Sequence, residues 1–388
     1  MSIRKRILWL PSWYPNRRDL YDGDFIQRHA RAAAIYHDVH VIFVTDADIQ
    51  LPKDEEWSYA TGLTEQIIYF KKKSGVAPRF RKQLTWSNVY QKAIKHYIDK
   101  NGLPDIVHVH VPWKAGLIAL RMKSKYGTDF IVTEHWTIYN DGTPSSFEKK
   151  IFAIRQLIKK IFESSVGISP VSFNLSESLS KIFSVKTIAI INNVVDTTLF
   201  HFNEKKYSRF TFIHVSNMSP MKNVTLLLTA FKIFVQKTNA LVNLVLVGNK
   251  SNEFAKYVDD LALLDASIFF RGEISYREVA EEMQRCHCFV LSSVAENSPC
   301  VIGEALCTGL PVVATNVGGV SELINETNGN VIPPKDIEAL VTAMANVYKN
   351  YSAYNCQQIA EDASKKFSYS AIAQKFDELY RHVAGHPV

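Results

Sequence analysis

Residues 296–319 read ENSPCVIGEALCTGLPVVATNVGG, with Glu296 and Glu304 eight positions apart. Ser298 is suited to cap a helix and Pro299 to fill its first turn, where a missing N–H costs nothing. Gly309 suits the helix end, and Pro311 opens the apolar strand PVVAT. Glu296 then falls in the loop before the helix, and Glu304 lies inside it, about 8 Å further along at ~1.5 Å rise per residue. Between them a helix N-terminus presents N–H groups and a positive dipole end, which suit a phosphate. Two hydroxyl-seeking carboxylates around an anion site fit a sugar nucleotide.

The same alternation of helix and apolar strand runs outward through the chain. Strand candidates in the first half are RILWLPS, VHVIFVT, QIIYFKK, DIVHVHV, DFIVTEH, VGISPV and TIAIINN. The second half offers FTFIHVS, LVNLVLVG, SIFFRGE, CFVLSS, PVVATN and NVIPP. Segments such as FIQRHARAAAIY and NVTLLLTAFKIFVQK have helical spacing. Continuous apolar strands alternating with helices predict parallel sheets covered on both faces. A chain of 388 residues exceeds one ordinary core. The expectation is two doubly wound α/β domains, 1–190 and 191–369, facing across a deep cleft, with a last helix over 370–388 packing back onto the first. Ligands of such sheets bind beyond the carboxyl ends of the strands.

Composition narrows the class. The chain is 47% hydrophobic and 21% charged, as in folded soluble proteins. No apolar run approaches the ~18–20 residues that span a bilayer. The start, MSIRKRILWLPSWYP, imitates a signal peptide, but Pro11 interrupts it, so it reads as a first strand. Five cysteines without framework spacing indicate reduced thiols and a cytoplasmic setting. Cys286 and Cys288 flank His287, yet RCHCFVLSS reads better as a helix end running into a buried strand.

The net charge of +7 is unevenly spread. Residues 1–190 carry 28 Lys/Arg against 18 Asp/Glu, and residues 191–388 carry 17 against 20. Basic clusters occur at Lys71–Lys73, at Arg79, Arg81 and Lys82, and along FEKKIFAIRQLIKKIF. The last is amphipathic with cations between Phe and Ile, and predicts a solvated helix face, or contact with an acidic acceptor or, peripherally, with anionic lipid at the inner face of the membrane. No nucleic-acid-binding module accompanies the charge.

SWYP with Gly23, DIVHVH, VTEHW, SPVS, NNVVD, VSNMSPMKN, LVLVG, FRGEIS and the paired-glutamate passage follow one another along the chain. In this order they resemble family 4 of the retaining glycosyltransferases, with the GT-B fold of two Rossmann-like domains. The resemblance implies a nucleotide-sugar donor, UDP- or GDP-linked, bound mainly by the C-terminal domain, and an acceptor bound mainly by the N-terminal one. It implies retention at the anomeric carbon and no cofactor or metal.

Carried over residue by residue, Glu304 matches the glutamate that binds the ribose hydroxyls. Glu296 matches the one facing the donor hexose, and Lys222 the lysine that neutralises the diphosphate. His135 of VTEHW matches the histidine beside the donor sugar. Gly23 fits the loop that approaches the diphosphate through its backbone. Asn217, Ser298, Cys300, Val301 and Gly272 complete the donor-side set. His108 and His110 share a strand face and suggest metal ligands, but nothing supplies a further ligand, so no metal is expected. Three positions depart from the family pattern: Asn217 replaces a frequent arginine, Asn223 a glycine, and Pro299 a phosphate-loop glycine whose N–H it lacks.

The reading is therefore a hexosyltransferase acting on a saccharide or lipid-linked acceptor, in surface polysaccharide or glycolipid synthesis. The alternative is a sugar-nucleotide epimerase on the same fold. A dehydrogenase is set aside because SWYPNRRDLYDGD replaces a G-x-G-x-x-G turn after the first strand.

Overall fold

The computed structural model describes residues 4–47, 54–71, 78–140, 146–204, 206–249 and 267–384; Lys72, Lys73 and the last four positions of the chain lie outside these, as does the side chain of Arg79. The chain divides into two units, Met1–Val194 with Tyr369–Val388, and Val195–Ser368. The boundary thus falls after Val194, not 190, and Tyr369 already belongs to the first unit.

The first unit is a six-stranded sheet in the order β3-β4-β2-β1-β5-β6. Its strands are β1 (Arg6–Pro11), β2 (Asp38–Ala47), β3 (Glu55–Ala60), β4 (Leu63–Lys71), β5 (Ile106–His110) and β6 (Phe130–Thr133). The signal-like start is indeed a strand. The central strands are buried on both faces, as β5 shows along IVHVH. That explains their unbroken apolar character.

Helices α2 (Pro78–Asn101), α3 (Ala115–Tyr126), α4 (Phe152–Ser164) and α5 (Phe173–Ile182) share one core, which includes Trp86, Ile118, Ile161 and Leu175. Helix α1 (Asp24–Ala33) lies in the core on the sheet's other face, with Ile7, Trp9 and Ile131. The last helix, Tyr369–Ala384, joins it there through Ile372, Phe376 and Tyr380.

Two expectations need correction. Strand β3 runs antiparallel to β4 at the sheet edge. Its sequence, EEWSYA, is mostly exposed, so it lacked the apolar signal used for the other strands. Conversely, VGISPV and TIAIINN do not form full strands. Ile168 makes single bridges to Val132 and Thr187, extending the sheet by isolated links only.

The second unit holds a six-stranded sheet in the order β12-β11-β10-β7-β8-β9, all parallel. The strands are β7 (Thr211–Val215), β8 (Asn243–Val247), β9 (Ser267–Gly272), β10 (Cys288–Leu291), β11 (Val312–Thr315) and β12 (Gly329–Ile332). Two cores flank it, one containing Ile213, Phe289 and Ile302 and the other Phe212, Phe231 and Val290. Neighbouring residues of β7 and β10 fall in opposite cores because side chains alternate across a strand. Cys286 and Cys288 are fully buried, and His287 Nδ1 accepts the Thr211 N–H at 3.1 Å, as expected for a structural rather than a metal-binding run. Among the described residues no helix is long and apolar enough to cross a membrane.

Candidate functional site

In the second unit the candidate side chains gather after β7 and β10. Pro220–Lys222 forms a 3-10 turn, and Asn223 follows with φ 48° and ψ 47°. That left-handed conformation explains why glycine or asparagine suits the position. Lys222 Nζ then donates to Glu296 Oε1 at 2.5 Å. Ser293 Oγ donates to the same oxygen at 2.7 Å, and Ser292 Oγ donates to the carbonyls of Lys222 and Asn223 at 3.0 and 3.1 Å. Two adjacent serines therefore hold the lysine turn and the carboxylate in register. The Glu296 side chain is 9% exposed and that of Lys222 is 20%, so the pair is partly shielded yet reachable.

The helix that follows spans Cys300–Cys307, with Pro299 as its cap residue and no side-chain cap. Ser298 therefore does not cap it, and Pro299 precedes the first turn instead of filling it. Having no N–H of its own, Pro299 leaves Cys300 and Val301 as the first amides of the helix. Gly309 closes the helix at φ +78°, where an added Cβ would meet the Cys356 carbonyl oxygen at 2.4 Å. Glu304 is buried, not an exposed helix glutamate, and its Oε1 accepts the Tyr276 hydroxyl at 2.9 Å.

Asn217 uses its side-chain oxygen locally, accepting the Ser219 N–H at 3.1 Å. It therefore shapes the loop before Lys222 and does not reproduce the charge of an arginine. Gly272 ends β9 at φ +72°, with open space where a Cβ would stand.

In the first unit Gly23 sits at φ +65°, and a Cβ there would lie 2.6 Å from the Trp13 backbone. Both conditions require glycine, and the Trp13 contact assigns it a packing role independent of any ligand. His135 follows β6. Glu134 Oε1 accepts the N–H of His135 at 2.7 Å and of Trp136 at 2.8 Å, fixing the turn that presents the imidazole. Burial pushes the Glu134 carboxyl up to about 7.

His135 Nε2 lies 3.3 Å from His110 Nδ1, with the Phe25 ring centred 4.8 Å away. Burial lowers both histidines well below the usual imidazole range, so both are neutral. His108 is structural: its nitrogens engage Tyr380 Oη and Thr133 Oγ1, each at 2.7 Å. Among the described residues, the trio that could share an ion is instead His29, His110 and His135, whose ring nitrogens fall within 4.8 Å of one another. A tetrahedral ion with ligands at ~2.1 Å holds them ~3.4 Å apart.

Sequence reasoning missed His29, Ser293, Tyr276 and the Glu134 brace. Only Glu134 had a local signal, its place beside His135.

The chain matches two family profiles in succession: Glycosyltransferase Family 4 over residues 25–199 and Glycosyl transferases group 1 over residues 196–366. It is 24% identical over 336 residues to an uncharacterized glycosyltransferase of Methanocaldococcus jannaschii, covering 85% of this chain and 88% of the relative. It is 25% identical over 300 residues to the O-antigen chain mannosyltransferase RfbU of Salmonella typhimurium, covering 72% and 78%. Among solved structures, sucrose-phosphate synthase from Thermosynechococcus elongatus superposes with TM-score 0.78 at 19% identity, covering 98% of this chain and all of that one. Anabaena HepE in complex with UDP-glucose gives 0.71 at 18% identity, with 98% and 100% coverage.

Proposed function

This chain is a GT-B glycosyltransferase of family 4, and from that premise we propose that it moves a hexose from a UDP- or GDP-linked donor to a hydroxyl of a saccharide or lipid-linked acceptor with retention of anomeric configuration. The observation that carries the proposal is the Lys222–Glu296 pair braced by Ser293, with the buried Glu304–Tyr276 pair in the same unit.

A departing nucleoside diphosphate needs a preorganised cation, and Lys222 supplies one. Its ammonium has three donors, so it can keep Glu296 and still reach a phosphate oxygen. Glu296, fixed by Lys222 and Ser293, is assigned to a hydroxyl of the donor sugar and favours the positive charge that develops at the anomeric carbon. Glu304 suits the ribose diol, because two carboxylate oxygens match two adjacent hydroxyls. The first amides of the Cys300–Cys307 helix are assigned to the diphosphate. His135, neutral and fixed from both sides, is assigned to the donor sugar as a hydrogen-bonding group.

In the step we propose, the bond between C1 and the phosphate oxygen breaks as the acceptor oxygen bonds to the same face of C1. The acceptor's proton passes to the leaving phosphate oxygen. No covalent enzyme intermediate is required.

Proton NMR of the product of the best donor, selected by thermal stabilisation among nucleotide sugars, tests this reading. An anomeric centre matching the donor's is expected, and an inverted centre overturns retention. Incubation with donor alone separates the epimerase, which would convert it without acceptor.

A further inference from the structure

Helices α2, α3 and α4 form one layer on a single face of the first sheet, and their outer surface is cationic. Among the described side chains α2 carries five Lys/Arg, α3 three and α4 three, against only Asp99 and Glu163. Between α2 and α3 runs a groove of about 810 Å³, floored by Ile94, Ile118 and Met122 and rimmed by Lys92, Lys95, Arg121 and Lys125. Few acids accompany these cations: among the described residues Lys82 pairs with Asp46 at 2.8 Å, Lys123 with Asp129 at 3.0 Å and Lys159 with Glu163 at 3.7 Å, each with its lysine at least one-third exposed. Such pairs are worth little and leave the layer's field positive.

α4 adds a second feature. Its inward face buries Ile158, Ile161 and Phe162 completely. Yet Ile151 and Phe152 at its start are each 67% exposed, and Leu157 is 38% exposed. Phe152, Arg155, Gln156 and Lys159 follow one another at i, i+3, i+4 and i+7, so an exposed aromatic shares its stripe with cations. Single exposed apolar residues are ordinary on a protein surface. Three within seven residues, bordered by lysines, match the composition of an interfacial helix, where apolar groups enter the acyl boundary and Lys/Arg meet headgroups. Lys150, immediately before Ile151, lies over the Trp136 ring at 5.0 Å. The exposed apolar pair is therefore anchored beside the residue that follows His135.

We propose that this face docks the protein on an anionic bilayer, with Ile151 and Phe152 inserted at the acyl boundary and the α2–α3–α4 cations on the headgroups. The contact places the His135 turn next to the lipid surface, and so favours a lipid-linked acceptor. That last step rests on the transferase reading, whereas the docking does not.

Co-sedimentation of the full chain with vesicles tests the proposal without any donor. The expected result is binding to phosphatidylglycerol/phosphatidylcholine vesicles and none to pure phosphatidylcholine. The double variants Ile151→Asp/Phe152→Asp and Lys159→Glu/Lys160→Glu each weaken the binding at least tenfold, with unchanged unfolding temperatures. Absence of binding to the anionic vesicles overturns the proposal, as does binding that both variants retain. Transfer to a soluble acceptor without vesicle binding defeats the docking alone, and vesicle binding without transfer defeats the catalytic reading alone.

Discussion

Tyr276 donates its hydroxyl to Glu304 Oε1 across 2.9 Å, linking the first turn of one helix to the interior of another 28 residues later. A carboxylate buried to 3% exposure needs such a partner, and it keeps Glu304 in one orientation. Replacing Tyr276 with Phe removes the donor while keeping the ring against Phe200, whose centroid is 4.8 Å away. Calorimetry with UDP and GDP should show affinity for the binding nucleotide reduced by roughly 0.5–1.5 kcal/mol. Glu304→Ala should cost more, and unchanged affinity in both variants removes Glu304 from the ribose site.

Lys222→Ala leaves Glu296 bonded to Ser293 but deletes the cation. Turnover should fall well over tenfold, on the order of 2 kcal/mol or more in transition-state stabilisation. The side chain is partly exposed, so the unfolding temperature should move little. Near-normal kcat would assign the diphosphate charge to another group.

Gly23→Ala puts a methyl group 2.6 Å from the Trp13 backbone at a positive φ. Destabilisation of about 1–3 kcal/mol is expected, read as a lower midpoint in thermal or urea unfolding. A neutral outcome would mean that the Trp13 loop yields freely.

Acid should destabilise the protein through its buried histidines. Burial lowers His29 and His214 to about 4 from an ordinary value of 6.5. The unfolded chain therefore binds more protons as pH falls below 6.5, and stability is lost until pH reaches about 4. Each histidine contributes roughly 3 kcal/mol to that loss. Glu134 acts in the opposite sense: raised to about 7 from 4.5, it stabilises the fold at low pH and loses that contribution as pH rises through 7. Two histidines outweigh one glutamate, so the unfolding temperature should drop from pH 6.5 to 4.5. His29→Gln should flatten the profile, and a temperature that rises toward acid contradicts the assignment.

The parts of this molecule that were legible in the sequence share a local cause. Unbroken apolar runs such as IVHVH and CFVLS announce strands buried on both faces, and all the central strands were found that way. Gly309 was readable because a helix end needs a left-handed residue. The misreadings arise where tertiary context decides. EEWSYA forms an edge strand despite its polarity, because an edge has one face and one side open to water. TIAIINN is apolar yet makes only a bridge.

The site divides in the same way. Glu296, Glu304, Lys222 and His135 stand in recognisable local motifs. Apart from Glu134, their partners do not: His29 Nε2 engages the Asn192 carbonyl 163 positions away at 2.9 Å, and no local pattern encodes such a pairing. Pro299 shows a further limit, since its fixed φ suits both a first helical residue and the cap it occupies.

The helix Tyr369–Ala384 completes a core begun at the other end of the chain. Tyr380 Oη accepts the Trp9 indole N–H at 3.0 Å and engages His108 at 2.7 Å. During synthesis, β1 and α1 leave the ribosome long before the residues that cover them, while Val195–Ser368 can close on itself in between. The second unit can thus finish folding before the first, because Trp9 meets its hydroxyl partner only once Tyr380 has emerged.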